Sequence, residues 1–130
     1  MCALVLDTTV LIDALRGRSA AARLRELASR HEVLLTTAVN VEEIVRGLRP
    51  SEQPAADALF TAVRVLPIRE ADARRAGAWR REHAARGITL HQADCLIGAV
   101  TAAIGARLAT GNAKDFPMPE LTVDEWPPGS

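Results

Sequence analysis

Residues 3–15 read ALVLDTTVLIDAL, and this stretch decides the fold. Residues 3–7 form a short apolar run that ends in the carboxylate of Asp7, which predicts a buried strand. From Thr8 to Arg16 the apolar side chains recur at helical spacing, and Gly17 marks the predicted end of a helix. A buried strand that leads directly into a helix is the repeating unit of sheets with helices packed on both faces.

The same alternation continues along the chain. Further strands are predicted at residues 33–37, 65–68, 107–110 and near 121–123, with helices at 8–16, 19–30, 40–48, 55–63, 70–86 and 90–104. This pattern predicts a single α/β domain over residues 1–130: a three-layer α/β/α sandwich around a mostly parallel sheet of four to five strands. Ligands of such sheets bind beyond the carboxyl ends of the strands, so the residues at those ends are the candidates for a site.

Composition limits the class of protein. The 130 residues are 48% hydrophobic and 25% charged, as in ordinary globular proteins, and 16 basic residues balance 16 acidic ones. A zero net charge gives no argument for a strongly basic nucleic-acid-binding surface, and four aromatic residues without tyrosine argue against base stacking. Cys2 and Cys95 are isolated thiols, which is typical of a reducing cytosol. Without a signal-peptide pattern or a run of about 20 apolar residues, a cytoplasmic protein with no membrane segment is expected.

Polar residues stand at the ends of several predicted strands and at the starts of the helices beside them. They are Asp7, Glu43, Asp94, Asn112 and Asp115. Each has an ordinary structural explanation. Asp7 can cap the first helix, Asn40 and Glu43 have the spacing of a capping box, and Asp94 complements a helix dipole. Asn112 and Asp115 are common turn residues.

A second capping box is predicted at the last helix, where Thr89 and Gln92 have the required spacing.

Taken together, these acids suggest a metal site. Carboxylates that converge in a partly buried cleft raise one another's pKa, and a bound cation relieves that repulsion. Oxygen ligands without His or Cys suit Mg²⁺ or Mn²⁺ better than Zn²⁺. The spacing alone does not establish that the acids converge.

Four motifs carry a family resemblance. They are LDTTVLID (residues 6–13), TAVNVEEIVRG (37–47), ADCLI (93–97) and LATGNAKDF (108–116). In this order and at these separations they resemble the motifs of PIN-domain proteins, and the size of the chain resembles the VapC-type toxins of bacterial toxin–antitoxin pairs. The resemblance covers nearly the whole chain.

The resemblance implies an endoribonuclease that depends on Mg²⁺ or Mn²⁺, forms a homodimer and is inhibited by a cognate VapB-type antitoxin. It implies that Asp7, Asp94 and Glu43 are metal ligands and that water attacks an RNA phosphodiester, leaving 5′-phosphate and 3′-hydroxyl ends. Asn112 occupies the position of a fourth acid in many relatives. An amide there brings no charge. Asp115, one helical turn further on, either compensates for it or corresponds to a non-catalytic Asp that precedes Phe in the family motif.

Other residues near these motifs have possible supporting roles. The hydroxyls of Thr8 and Thr110 are expected to orient carboxylates or water. Arg46 lies one turn beyond Glu43 and is a candidate RNA contact, whereas His91 is expected to be a capping or surface residue.

Three other functions share some of these residues. A PIN-like scaffold weakened by Asn112 would bind an antitoxin with little or no catalysis, and a metal-dependent DNA nuclease would use the same acids on another substrate. Phosphoaspartyl chemistry is disfavoured, because Thr9 stands where a phosphatase of that class would need a second Asp.

Overall fold

Five short strands form one parallel sheet in the computed structural model, which describes residues 3–128. The strands are β1 (Ala3–Leu6), β2 (Val33–Thr37), β3 (Arg64–Leu66), β4 (Arg107–Thr110) and β5 (Thr122–Glu125), and their order in the sheet is β3-β2-β1-β4-β5. The chain leaves β1 towards β2 on one side and later returns to β4 on the other. This reversal of strand order beside β1 is the place where a crevice opens at the carboxyl edge of a parallel sheet.

Six helices cover the two faces of the sheet. They are α1 (Thr8–Leu15), α2 (Ser19–Ser29), α3 (Ala38–Arg46), α4 (Gln53–Ala62), α5 (Glu70–Ala84) and α6 (Gln92–Ala103). Alternate residues of β1 serve the two faces: Leu4 and Leu6 join the core that contains α1 and α2, and Val5 joins the core that contains α5 and α6. The predicted α/β/α sandwich is therefore confirmed, with all five strands parallel. None of the helices within residues 3–128 is both long and apolar enough to cross a membrane.

The start of α3 differs from the prediction. The helix begins at Ala38 rather than at residue 40, because Thr37 is the N-cap and forms a capping box with Asn40. The predicted capping box between Asn40 and Glu43 is therefore wrong. The Glu43 side chain is free of that local role and extends to another helix.

Two other local predictions are also wrong. Helix α6 begins at Gln92 with His91 in the N-cap position and no side-chain capping bond, so Thr89 and Gln92 do not form a capping box. Strand β3 ends at Leu66 rather than at residue 68, because Pro67 has no N–H with which to continue the ladder. Cys95 is a buried free thiol, as expected for an apolar helix, and Cys2 lies outside the described residues.

His31, two residues beyond the end of α2, has a left-handed backbone conformation. His31 adopts a positive φ of 61°, a conformation that glycine tolerates better than residues with a Cβ. We expect His31→Gly to raise the free energy of unfolding by about 0.5–1 kcal/mol, and His31→Ala to give no such gain. Urea unfolding of the three proteins checks this, and equal stabilities for the two variants would contradict it.

Candidate active site

Asp7 lies at the carboxyl end of the central strand, in the N-cap position of α1, but its side chain makes no capping bond. The Thr110 hydroxyl donates to Asp7 Oδ2 at 2.7 Å, and the Asn40 amide nitrogen lies 3.3 Å from Asp7 Oδ1. Only 6% of the residue is exposed. The capping explanation for Asp7 is therefore wrong: its carboxylate is held at the crevice by neighbours from β4 and α3.

Glu43 joins the same crevice from α3. The Thr8 hydroxyl donates a hydrogen bond to Glu43 Oε1 at 2.6 Å, across 35 residues of sequence. Thr8 is the first residue of α1 and follows Asp7 directly, so this bond connects the two acids through neighbouring residues. Both hydroxyls singled out in the sequence, Thr8 and Thr110, thus contact candidate acids.

Asn40 is a site residue that the sequence did not reveal. It is fully buried, and its side chain meets Thr37, Asp7 and Thr8. Its position in the sequence indicated only a role in capping a helix. The structure also shows contacts with Asp7 and Thr8. The contacts to Asp7 and Thr8 span more than 30 residues, and no local pattern indicates them.

Asp94 faces these acids from the first turn of α6. Its pKa is raised to about 6, first because burial penalises the charged carboxylate and then because the charges of Asp7, Asp115 and Glu43 repel it. The pKa of Asp7 is also raised, by burial above all and by the charge of Glu43. The acids predicted from separate motifs therefore share one electrostatic environment.

The turn after β4 places the two remaining candidates differently. The Asn112 N–H donates to the Thr110 hydroxyl, but the Asn112 side chain is exposed and makes no capping bond to the short 3₁₀ turn that follows. Asp115 ends that turn, is partly buried and raises the pKa of Asp94. Of these two residues, Asp115 contributes negative charge to the crevice.

The surrounding basic residues lie on the surface. Arg46 is exposed and forms two hydrogen bonds to Glu42, one turn earlier on α3. An exposed pair of this kind contributes little free energy, so Arg46 can exchange Glu42 for another anion at low cost. His91 is exposed at the start of α6, where its charge favours the ionised form of Asp94.

In the part of the chain that the structure describes, these three acids lack a direct ion pair. Among the ion pairs of residues 3–128, none involves Asp7, Glu43 or Asp94. No three His, Cys, Asp or Glu side chains in that part of the chain are close enough to form a ready-made metal cluster. The residues nevertheless fit a hard divalent cation, because the donors are all oxygens and the charges of Asp7 and Glu43 raise the pKa of Asp94.

The raised pKa of Asp94 predicts that the stability of the metal-free protein depends on pH. The pKa of Asp94 is higher in the folded state than in the unfolded chain, so the folded state is favoured when Asp94 is protonated. This contribution to the free energy of unfolding is complete below about pH 4. It is lost as the pH rises through the folded value of about 6.

In EDTA, we therefore expect wild type to lose about 1 kcal/mol relative to Asp94→Asn between pH 5 and 7.5, after allowance for solvent screening of a half-exposed group. Urea unfolding of both proteins at the two pH values measures this difference. Identical pH dependence of wild type and variant would contradict it.

These features, a parallel α/β/α sandwich with these acids at its carboxyl edge, agree with the comparison with protein families. The model of the PIN domain matches residues 4–117, so the chain belongs to the PIN-domain family. Within it, the chain is similar to Ribonuclease VapC19 of Mycobacterium tuberculosis, with 35% identity over 119 residues that cover 90% of this chain and 95% of the relative. It is also similar to Ribonuclease VapC10 of the same organism, with 33% identity over 115 residues, 88% of this chain and 86% of the relative. The resemblance to VapC-type PIN domains is confirmed.

Solved structures confirm the fold independently. VapBC2 from Rickettsia felis, bound to a fragment of promoter DNA, superposes with a TM-score of 0.84 at 20% identity, covering 95% of this chain and 98% of that chain. The Mycobacterium tuberculosis toxin VapC20, described as cleaving the sarcin–ricin loop, superposes with a TM-score of 0.61 at 20% identity over 91% of this chain and 98% of that chain.

Proposed function

We propose that the chain is a VapC-type endoribonuclease that depends on Mg²⁺ or Mn²⁺ and hydrolyses phosphodiester bonds of RNA. The observation that carries the proposal is that Asp7, Glu43 and Asp94 share one electrostatic environment at the carboxyl edge of the sheet and form no ion pair within residues 3–128. The relatives named VapC ribonucleases support RNA as the substrate class.

Each acid has a distinct part in the proposed site. Asp7 and Asp94 are the principal ligands of the cation, and Glu43 is the third acid. Asn112, an exposed amide whose main-chain N–H contacts Thr110, is proposed to donate to a phosphate oxygen, and Asp115 to supply the fourth negative charge. Thr110 and Thr8 hold the carboxylates of Asp7 and Glu43 in place.

The cation and the acids have different roles in the proposed reaction. A divalent ion at such a site polarises a phosphoryl oxygen and makes water a better nucleophile at neutral pH. The acids would hold the cation and repel other anions while it is absent. A carboxylate would accept the proton of the attacking water, and the 3′ oxygen that leaves phosphorus would take a proton from solvent. Arg46 is proposed to contact the RNA backbone beside Glu43; its exposure and its weak ion pair with Glu42 support this role.

The proposal is tested with purified protein and structured RNA in the presence of Mn²⁺, Mg²⁺ or EDTA. Cleavage that requires the divalent ion is expected. A duplex and a single-stranded DNA of the same sequence are the matched substrates, and preferential cleavage of DNA would replace this proposal with a DNA nuclease. Binding of an antitoxin without any cleavage would favour the scaffold function that Asn112 suggests.

The antitoxin site is proposed to be the apolar groove between α1, α2 and α4. Its volume is about 300 Å³, and much of its lining is alanine and leucine. Leu15 and Leu24 come from the two N-terminal helices, and Ala58 and Leu59 come from α4. Small side chains on α4 leave room for an apolar segment of a VapB-type antitoxin, which is the partner seen in the similar VapBC structures.

A homodimer in the cytoplasm completes the proposed function. Exposed apolar side chains such as Val65 and Ile104 lie at the β3 side of the sheet and at the end of α6, where a second copy would cover them. Light scattering is expected to give twice the 14.0 kDa of one chain.

A further inference from the structure

The orientation of the Asn40 carboxamide is fixed by the end of β2. Its Oδ1 accepts hydrogen bonds from the Thr37 main-chain N–H at 3.1 Å and from the Thr37 hydroxyl at 2.7 Å. Because a main-chain N–H can only donate, the amide atom that faces it is the oxygen. The amide nitrogen therefore points the other way, towards the acids.

The nitrogen has two acceptors there. It donates to Thr8 Oγ1 at 3.0 Å, and its distance to Asp7 Oδ1 is 3.3 Å. Since the Thr8 oxygen accepts from Asn40, the Thr8 proton is available for Glu43 Oε1, at 2.6 Å. The hydrogen bonds thus run in one direction, from Asn40 through Thr8 to Glu43, with a side branch to Asp7.

We propose that Asn40 is a positioning residue for the cation site: its amide nitrogen holds Asp7 directly and holds Glu43 through the Thr8 hydroxyl. This inference rests on the proposed function, in which both acids bind the cation. The choice of an amide has a physical reason. Arg or Lys in the same place would also hold the carboxylates, but it would neutralise the charge that attracts the cation.

The test separates this role from helix capping. Asn40→Asp keeps a side-chain oxygen that accepts from Thr37, as the third helical residue of a capping box does, but it removes the donor that faces Asp7 and Thr8. We expect Asn40→Asp to weaken Mn²⁺ binding and to lower kcat on RNA, each by roughly 10- to 100-fold, with a smaller change in KM. Asn40→Ser adds no charge and is too short to reach Asp7, and it is expected to act in the same direction.

Thr101→Val is the matched control. Thr101 is also fully buried, and its hydroxyl donates at 2.9 Å to the Ile97 carbonyl on α6. Its loss removes a buried hydrogen bond without touching the acids, so Mn²⁺ binding by calorimetry is expected to equal that of wild type. Circular dichroism verifies that each variant is folded before binding is measured.

A second comparison tests the path through Thr8. If Asn40 acts on Glu43 through the Thr8 hydroxyl, Thr8→Val combined with Asn40→Ser loses less Mn²⁺ affinity than the product of the two single losses. Losses that multiply, or wild-type binding by both Asn40→Asp and Asn40→Ser, would overturn the inference. Failure of wild type to bind Mn²⁺ or to cut RNA would instead refute the proposed function, so the two failures are distinguishable.

Discussion

Asp7→Asn and Asp94→Asn are each expected to lower RNA cleavage by roughly 1,000-fold or more, which corresponds to about 4 kcal/mol of transition-state stabilisation. The reason is electrostatic. Each substitution keeps the size of the side chain but removes a negative charge from a group in which the charge of Asp7 raises the pKa of Asp94 and the charge of Glu43 raises the pKa of both. The measurement is the initial rate of cleavage of a structured RNA in Mn²⁺, together with Mn²⁺ binding by calorimetry.

Asp72→Asn is the matched control for these two variants. Asp72 is a buried acid on α5, only 2% exposed, where it accepts a hydrogen bond from the Arg69 main-chain N–H. An Asn there retains an acceptor, so cleavage at the wild-type rate is expected. Equal rates for all four proteins would mean that the cleavage comes from a contaminant or from another site, and the assignment of the acids would fail.

Ala58→Arg is expected to weaken binding of a VapB-type antitoxin by roughly 100-fold, or about 2.7 kcal/mol, while RNA cleavage by the free protein stays unchanged. Ala58 is exposed on α4 and lines the groove, so the substitution costs little in folding. A long cationic side chain there fills the space between α2 and α4, and an apolar partner segment would have to bury its charge unpaired. Calorimetric titration with the product of the adjacent gene measures the loss.

Ala22→Arg is the matched control for Ala58→Arg. Ala22 is exposed on α2 but does not line the groove. It adds the same charge without obstructing the partner, and wild-type affinity is expected. Equal affinity for Ala58→Arg and Ala22→Arg would place the antitoxin elsewhere on the molecule.

Much of the fold was predictable because its elements have strong local patterns. The run of residues 3–6 is apolar throughout, as a central strand buried on both faces must be. In the helices after it, the apolar side chains recur at helical spacing. The ends of the elements were harder. Thr37 belongs to the strand pattern by composition and yet caps α3, and the spacing from Asn40 to Glu43 mimics a capping box that does not form.

The candidate site divides in the same way. Asp7, Glu43 and Asp94 were found because each occupies a recognisable motif, and the structure brings their charges together. The part played by Asn40 was not predictable, because its bonds to Asp7 and Thr8 depend on the packing of α3 against β1 and α1. The contribution of Asp115, rather than of the Asn112 side chain, to the charge around Asp94 likewise depends on how the turn after β4 closes.

The most direct test of the central claim is the chemistry of the RNA ends. Hydrolysis by water at a site held by Asp7, Glu43 and Asp94 leaves a 5′-phosphate on one fragment and a 3′-hydroxyl on the other, and mass spectrometry of fragments made by purified protein identifies both. We predict these ends with Mn²⁺ or Mg²⁺ and no cleavage in EDTA. Fragments that end in 2′,3′-cyclic phosphate, or cleavage that persists in EDTA, would contradict the account.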